Sequence, residues 1–160
     1  MKKLLPLLFI TLAIAGCKKG NSPAPDPNAN NASKIVGKWK DGVATSIYYT
    51  GGKEVYRENY AAPTSILGYY EFTTGGLFNV YQLNGSTSTL IGSLSYTLTT
   101  NNTVLRLSSG SSFQDDPISF TDDNTLVITA TTTSGVTYVS NNVTYNADKE
   151  VDYSTLLRMP

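Results

Sequence analysis

The chain has 160 residues, 40% of them apolar, which supports one hydrophobic core of ordinary size and hardly two. Only 15% is charged, with 12 basic and 12 acidic residues, so no basic excess is available to hold nucleic acid. Histidine is absent and Cys occurs once, which excludes imidazole triads, His or Cys metal centres and disulfides, and no cofactor or metal is expected.

The chain opens with Met1, Lys2 and Lys3, a basic n-region, followed by the apolar stretch 4–16. That stretch is too short for the ~20 residues a membrane helix needs, and Pro6 interrupts it. It is expected to be a signal peptide covering residues 1–16. Its end, Ile14-Ala15-Gly16-Cys17, resembles the lipobox of bacterial lipoproteins, in which cleavage precedes the Cys and its sulfur carries diacylglycerol. The resemblance implies lipidation at Cys17, fatty acids such as palmitate on that residue, and a membrane-anchored envelope protein. Lys18 follows the Cys where inner-membrane lipoproteins carry Asp, which by analogy implies the outer membrane.

Residues 18–31 contain Pro23, Pro25 and Pro27 among small and polar side chains, the composition of a flexible linker. With Cys17 at its head, the segment 17–32 is expected to tether a domain spanning 33–160. At ~3 Å per residue it reaches roughly 40 Å from the membrane.

Beyond the linker the chain is rich in Thr, Ser, Asn, Gly and Tyr, and short apolar runs alternate with turn clusters, so the fold class is all-β. Eight strands are predicted. The first covers 38–49, with Asp41-Gly42 as a bulge and with Trp39, Val43, Ile47 and Tyr49 on one face. The second and third, 67–73 and 77–83, flank Gly75-Gly76, and the third ends at the hairpin signal Asn84-Gly85. The fourth follows Gly92, with Leu94, Tyr96 and Leu98 on its inner face. Leu105 and Leu107 face inward on the fifth, Ile118 and Phe120 on the sixth, and Leu126, Ile128 and Ala130 on the seventh. The eighth is placed at 136–145, and the tail 148–160 is expected to hold a short helix over 153–157.

The segment Lys34-Ile35-Val36-Gly37-Lys38-Trp39, followed by hairpin-connected strands, resembles the lipocalin-like domains of small bacterial lipoproteins of the Bacteroidetes type. Gly37-x-Trp39 matches the family's Gly-x-Trp motif, preceded by a short helical turn. Tyr69-Tyr70-Glu71-Phe72, Gly76-Leu77-Phe78 and Gly92-Ser93-Leu94-Ser95-Tyr96 extend the resemblance to about Tyr145. It implies an eight-stranded antiparallel up-and-down barrel, with Gly37 and Trp39 as the structural barrel base. In the family an Arg on the last strand packs on the Trp; the predicted last strand has none, and Arg158 falls in the tail.

Candidate binding residues are the inward aromatics Tyr70, Phe72, Phe78 and Tyr96, which either line a pocket for a small hydrophobic ligand or fill the core. Asp115-Asp116 and Asp122-Asp123 read as turns, and Glu54, Glu58 and Glu71 form no recognisable acid–base motif, so an enzyme is not expected. The competing reading is a β-sandwich that binds glycan or protein through surface tyrosines drawn from Tyr48, Tyr49, Tyr56, Tyr60 and Tyr69. Closure separates the two, because a barrel pairs its last strand with its first.

Overall fold

The structure, a computed structural model, describes Asp26 and residues 28–160. The expected signal peptide (1–16), Cys17 and the linker through residue 25, with Pro27, lie outside the described residues. Among the described residues a short helix, α1 (Asn31–Ile35), precedes eleven strands: β1 (Gly37–Thr50), β2 (Lys53–Tyr60), β3 (Gly68–Phe72), β4 (Leu77–Asn84), β5 (Thr87–Thr99), β6 (Val104–Ser109), β7 (Ser112–Asp122), β8 (Thr125–Thr132), β9 (Thr137–Ser140), β10 (Val143–Asn146) and β11 (Lys149–Arg158).

Eight of them close a barrel. The order β1-β3-β4-β5-β6-β7-β8-β11 is antiparallel at every step, and β11 returns to β1 from Trp39 opposite Arg158 to Tyr49 opposite Lys149. The architecture is therefore a lipocalin-like eight-stranded barrel, and closure rules out the sandwich. β2 extends the wall alongside the upper part of β1, while β9 and β10 form a separate two-stranded sheet.

The closing strand is not the one the sequence suggests. Residues 136–145 were expected to close the barrel, but Asn141 and Asn142 both take positive φ (52° and 64°) and fold this run into the β9–β10 hairpin. The expected helix over 153–157 is instead part of β11. The inward positions of β11 are Glu150, Asp152, Ser154 and Leu156, paired with Thr132, Ala130, Ile128 and Leu126 of β8, and Arg158, paired with Trp39 of β1. Polar residues occupy much of its inner face, so the usual apolar alternation is missing. Between 53 and 60 the same masking hides β2, a strand the sequence reading did not assign.

The bulge at Asp41-Gly42 is present: β1 advances three residues, Asp41 to Ala44, while β11 advances two, Leu156 to Ser154. One extra residue reverses which side chains face inward. Trp39 and Asp41 are followed on the inner face by Ala44, Ser46 and Tyr48, so Val43, Ile47 and Tyr49 face outward, contrary to the simple alternation expected.

The core fills the lower half. Ile35, Trp39, Phe72, Leu105, Ile118, Leu126 and Leu156 are buried together, with Phe78, Tyr96, Leu98 and Phe120 packed against them. α1 caps this base: Asn31 donates to the Asn102 carbonyl at 2.9 Å, and Lys34 pairs with Asp123 at 2.8 Å. The folded region thus reaches back to Asn31, where side-chain burial begins.

Candidate functional site

The base is built around Trp39, which is fully buried. Its indole N–H donates to the Ile35 carbonyl at 2.8 Å, and the Arg158 guanidinium lies 4.3 Å above its ring. Arg158 also donates to the carbonyls of Val36 (2.9 Å), Asp123 (3.0 Å) and Lys34. The expectation that Arg158 falls in a tail beyond the last strand is thereby corrected: it sits on the closing strand, on the Trp. Gly37 is required beside it, since its φ is +135° and a Cβ there would stand 2.6 Å from the Arg158 guanidinium.

The four aromatics singled out from the sequence converge, and they touch one another. Phe72 lies 4.8 Å from Phe78 and 5.1 Å, edge-on, from Tyr96, while Tyr70 stacks on Phe78 at 5.7 Å. Phe72 is 1% exposed. The Tyr96 hydroxyl donates to the Thr73 carbonyl at 2.9 Å, tying down the β3–β4 turn. Burial, followed by the negative charge of Asp41, pushes the Tyr70 pKa up. These rings form a packed floor rather than the walls of a pocket.

Above the floor the lining changes character. The register places Asp41, Glu58, Asp116, Glu150 and Asp152 on inward positions, together with Tyr48, Tyr56 and Tyr60. Positive charges are arranged on the outer face: Arg106 pairs there with Asp115 at 2.6 Å, Lys149 lies over Tyr49, and Lys38 over Tyr69. Asp115 and Asp116 are therefore not a turn but consecutive β7 residues with opposite directions, one in an outer ion pair and one inside the wall. Asp116 is buried and accepts hydrogen bonds from the Gln114 amide at 3.0 and 2.9 Å.

The upper polar groups are linked. Ser46 donates to Asp152. Burial, then its hydrogen bond to Glu150, drives the Tyr48 phenol far above its ordinary pKa. Tyr60 is raised as well, first by its hydrogen bond to Glu58 and then by burial. Yet inward Glu58, Gln114 and Ser154 are exposed, so solvent reaches the interior at this level. A cavity of about 200 Å³ opens there, lined by Asp41, Ala44, Tyr60 and Ser154 among others.

The β9–β10 hairpin covers the top. Tyr138 stacks on Tyr56 at 4.8 Å, meets Tyr48 at 5.3 Å and its cross-strand neighbour Tyr145 at 5.3 Å, and Val136 beside it is buried. The Ala147 amide bonds the Val136 carbonyl at 3.0 Å and closes the neck of the hairpin. The tyrosines considered for a surface platform are thus divided: Tyr48, Tyr56 and Tyr60 face the lumen, Tyr49 faces out, and Tyr69 stacks on Tyr81 at 4.6 Å on the outer face of β3 and β4. No protein-family model matches the chain, and no curated protein matches it.

Proposed function

We propose that this chain is a membrane-anchored, lipocalin-like lipoprotein of the outer membrane, non-enzymatic, which holds a small amphiphilic ligand in the upper half of its barrel. Its apolar part rests on the aromatic floor of Tyr70 and Phe78, and its polar part lies among the phenols and carboxylates beneath the β9–β10 hairpin. The observation that supports this is the division of the barrel interior into a packed apolar base and a solvent-reached, polar upper chamber. Pockets that orient a ligand combine an apolar wall with a few convergent polar groups.

Electrostatics narrows the ligand class. Inward carboxylates disfavour a second anion in a confined space, so a neutral or positively charged head group fits where a fatty-acid carboxylate does not. Native mass spectrometry of the protein extracted from its host membrane in mild detergent tests the reading. It is expected to reveal a copurified small molecule, and thermal-shift assays are expected to favour long-chain alcohols and amines over fatty acids. No copurified mass and no stabilised melt would remove the carrier role. The anchor is tested separately: Cys17→Ala should move the protein from the membrane to the soluble fraction.

A further inference from the structure

The wall of the barrel is broken beside β1. On the edge of β1 that faces β2 and β3, residues 37–39 pair with β3 and residues 44–50 pair with β2, leaving residues 40–43 without a strand partner. The segment that would have filled the gap, residues 61–67, leaves the wall as an exposed loop containing Pro63. The Leu67 carbonyl of this loop accepts from the Leu83 amide at 2.9 Å, toward β4 and away from β1.

A groove lies between loop and strand. Two cavities, of about 140 and 200 Å³, both border Asp41 and Pro63; the first is also lined by Lys40, Ile66 and Leu67, and the second reaches Ala44 and Tyr60. Ile66 and Leu67 are 44% and 74% exposed. Neither Lys40 nor Asp41 makes an ion pair among the described residues.

We propose that this groove, which opens through the 200 Å³ cavity into the side of the upper chamber, binds a short extended peptide with a free amino terminus that completes the missing strand against residues 40–43. An open strand edge recognises main-chain amides of any sequence, and its unpaired groups are costly to cover with hydrocarbon. Asp41, on the inward side of β1 where the groove meets the chamber, supplies a carboxylate for the peptide ammonium, and Ile66 and Leu67 supply an apolar cover for one side chain. The four positions from Lys40 to Val43 span roughly 10 Å at about 3.3 Å per residue, room for about three peptide residues. A lipid tail would use the apolar cover and leave the Asp41 carboxylate and the strand edge unmatched.

The experiment uses the full chain, isotope-labelled and purified in mild detergent, titrated with the tripeptide Leu-Ala-Leu, its acetylated and amidated form, and oleate. Amide signals of residues 40–43 and 61–67 should shift with the free tripeptide. Asp41→Asn should weaken the free tripeptide about tenfold, as expected for loss of a charge-assisted contact, and leave the capped form unchanged. Ser65→Trp, on the exposed loop bordering the groove, should block both peptides without lowering the melting temperature. The proposal is overturned if those amides do not move at saturating peptide, if Asp41→Asn weakens both peptides equally, or if oleate competes with them. Shifts confined to Tyr48 and the β9–β10 hairpin would also overturn it, since they mark the upper chamber; a silent upper chamber with shifts at residues 40–43 would leave it standing.

Discussion

Arg158 and Trp39 lock the two ends of the folded chain together: the last residue of β11 lies on the indole of β1, 4.3 Å from its ring, and pairs with it across the closing ladder. The same guanidinium bonds carbonyls at the end of α1 and in the β7–β8 turn. One side chain thereby joins helix, turn and both closing strands.

Removing this group should be felt globally. Arg158→Ala loses a cation–π contact and three charge-assisted hydrogen bonds, so we expect about 2–4 kcal/mol of destabilisation. Arg158→Lys should recover only part of it, because an ammonium lacks the planar fork that spans separate carbonyls. Urea titration followed by Trp39 fluorescence measures both; equal stability of the Lys variant and the native chain would contradict the fork argument.

The aromatic floor behaves as core. Phe72→Ala should cost about 3–5 kcal/mol, the range for truncating a fully buried Phe. Because Phe72 lies beneath the chamber, ligand affinity measured under conditions where the variant remains folded should fall by less than threefold. A much larger loss would place the ligand among these rings.

The hairpin is held over the chamber by stacked tyrosines rather than by a strand ladder to the barrel. Tyr138→Ala removes three ring contacts, each worth about 0.5–1.5 kcal/mol. Hydrogen exchange in residues 136–147 should accelerate at least tenfold, while amides in the β1–β11 ladder keep their protection. Uniform acceleration through the barrel would show that the hairpin is integral to the fold.

Stability should decline in alkali. Tyr48, Tyr70 and Tyr96 are raised chiefly by burial, and Tyr60 chiefly by its hydrogen bond to Glu58. In the unfolded chain these phenols ionise near their usual value of about 10, whereas the folded chain keeps its protons. The unfolded state then binds fewer protons, so the stability present below pH 10 is lost as pH rises toward the folded pKa values. Urea midpoints at pH 8, 10 and 11 should fall in that order, and ultraviolet titration should show Tyr48 among the last phenols to ionise.

Local pattern was enough to read the lower barrel. Leu94-x-Tyr96-x-Leu98, Leu105-x-Leu107, Ile118-x-Phe120 and Leu126-x-Ile128 alternate because one side of each strand meets apolar core and the other meets water, and all were read with the correct face. Turn residues marked most hairpins for an equally local reason, and Gly37-x-Trp39 marked the base. The four floor aromatics could be grouped from parity alone, but whether they enclosed space or filled it depended on ring-to-ring distances.

Composition and local pattern were sufficient for an all-β domain with an apolar lower half; how the barrel closes, and which side chains its upper half gathers, depended on the tertiary structure. β11 was hidden because a strand lining a polar chamber lacks apolar alternation, and Arg158 could not be joined to Trp39 until that strand was in place. The bulge at Asp41-Gly42 was legible, yet its consequence, the reversal that turns Ser46 and Tyr48 inward, became definite only through the register with β11. The inward carboxylates of the chamber come from residues 41, 58, 116, 150 and 152, separated by up to 111 positions in sequence. No local periodicity gathers them. Closure of the sheet does, because cross-strand pairing fixes which side chains share an interior wherever they stand in the chain.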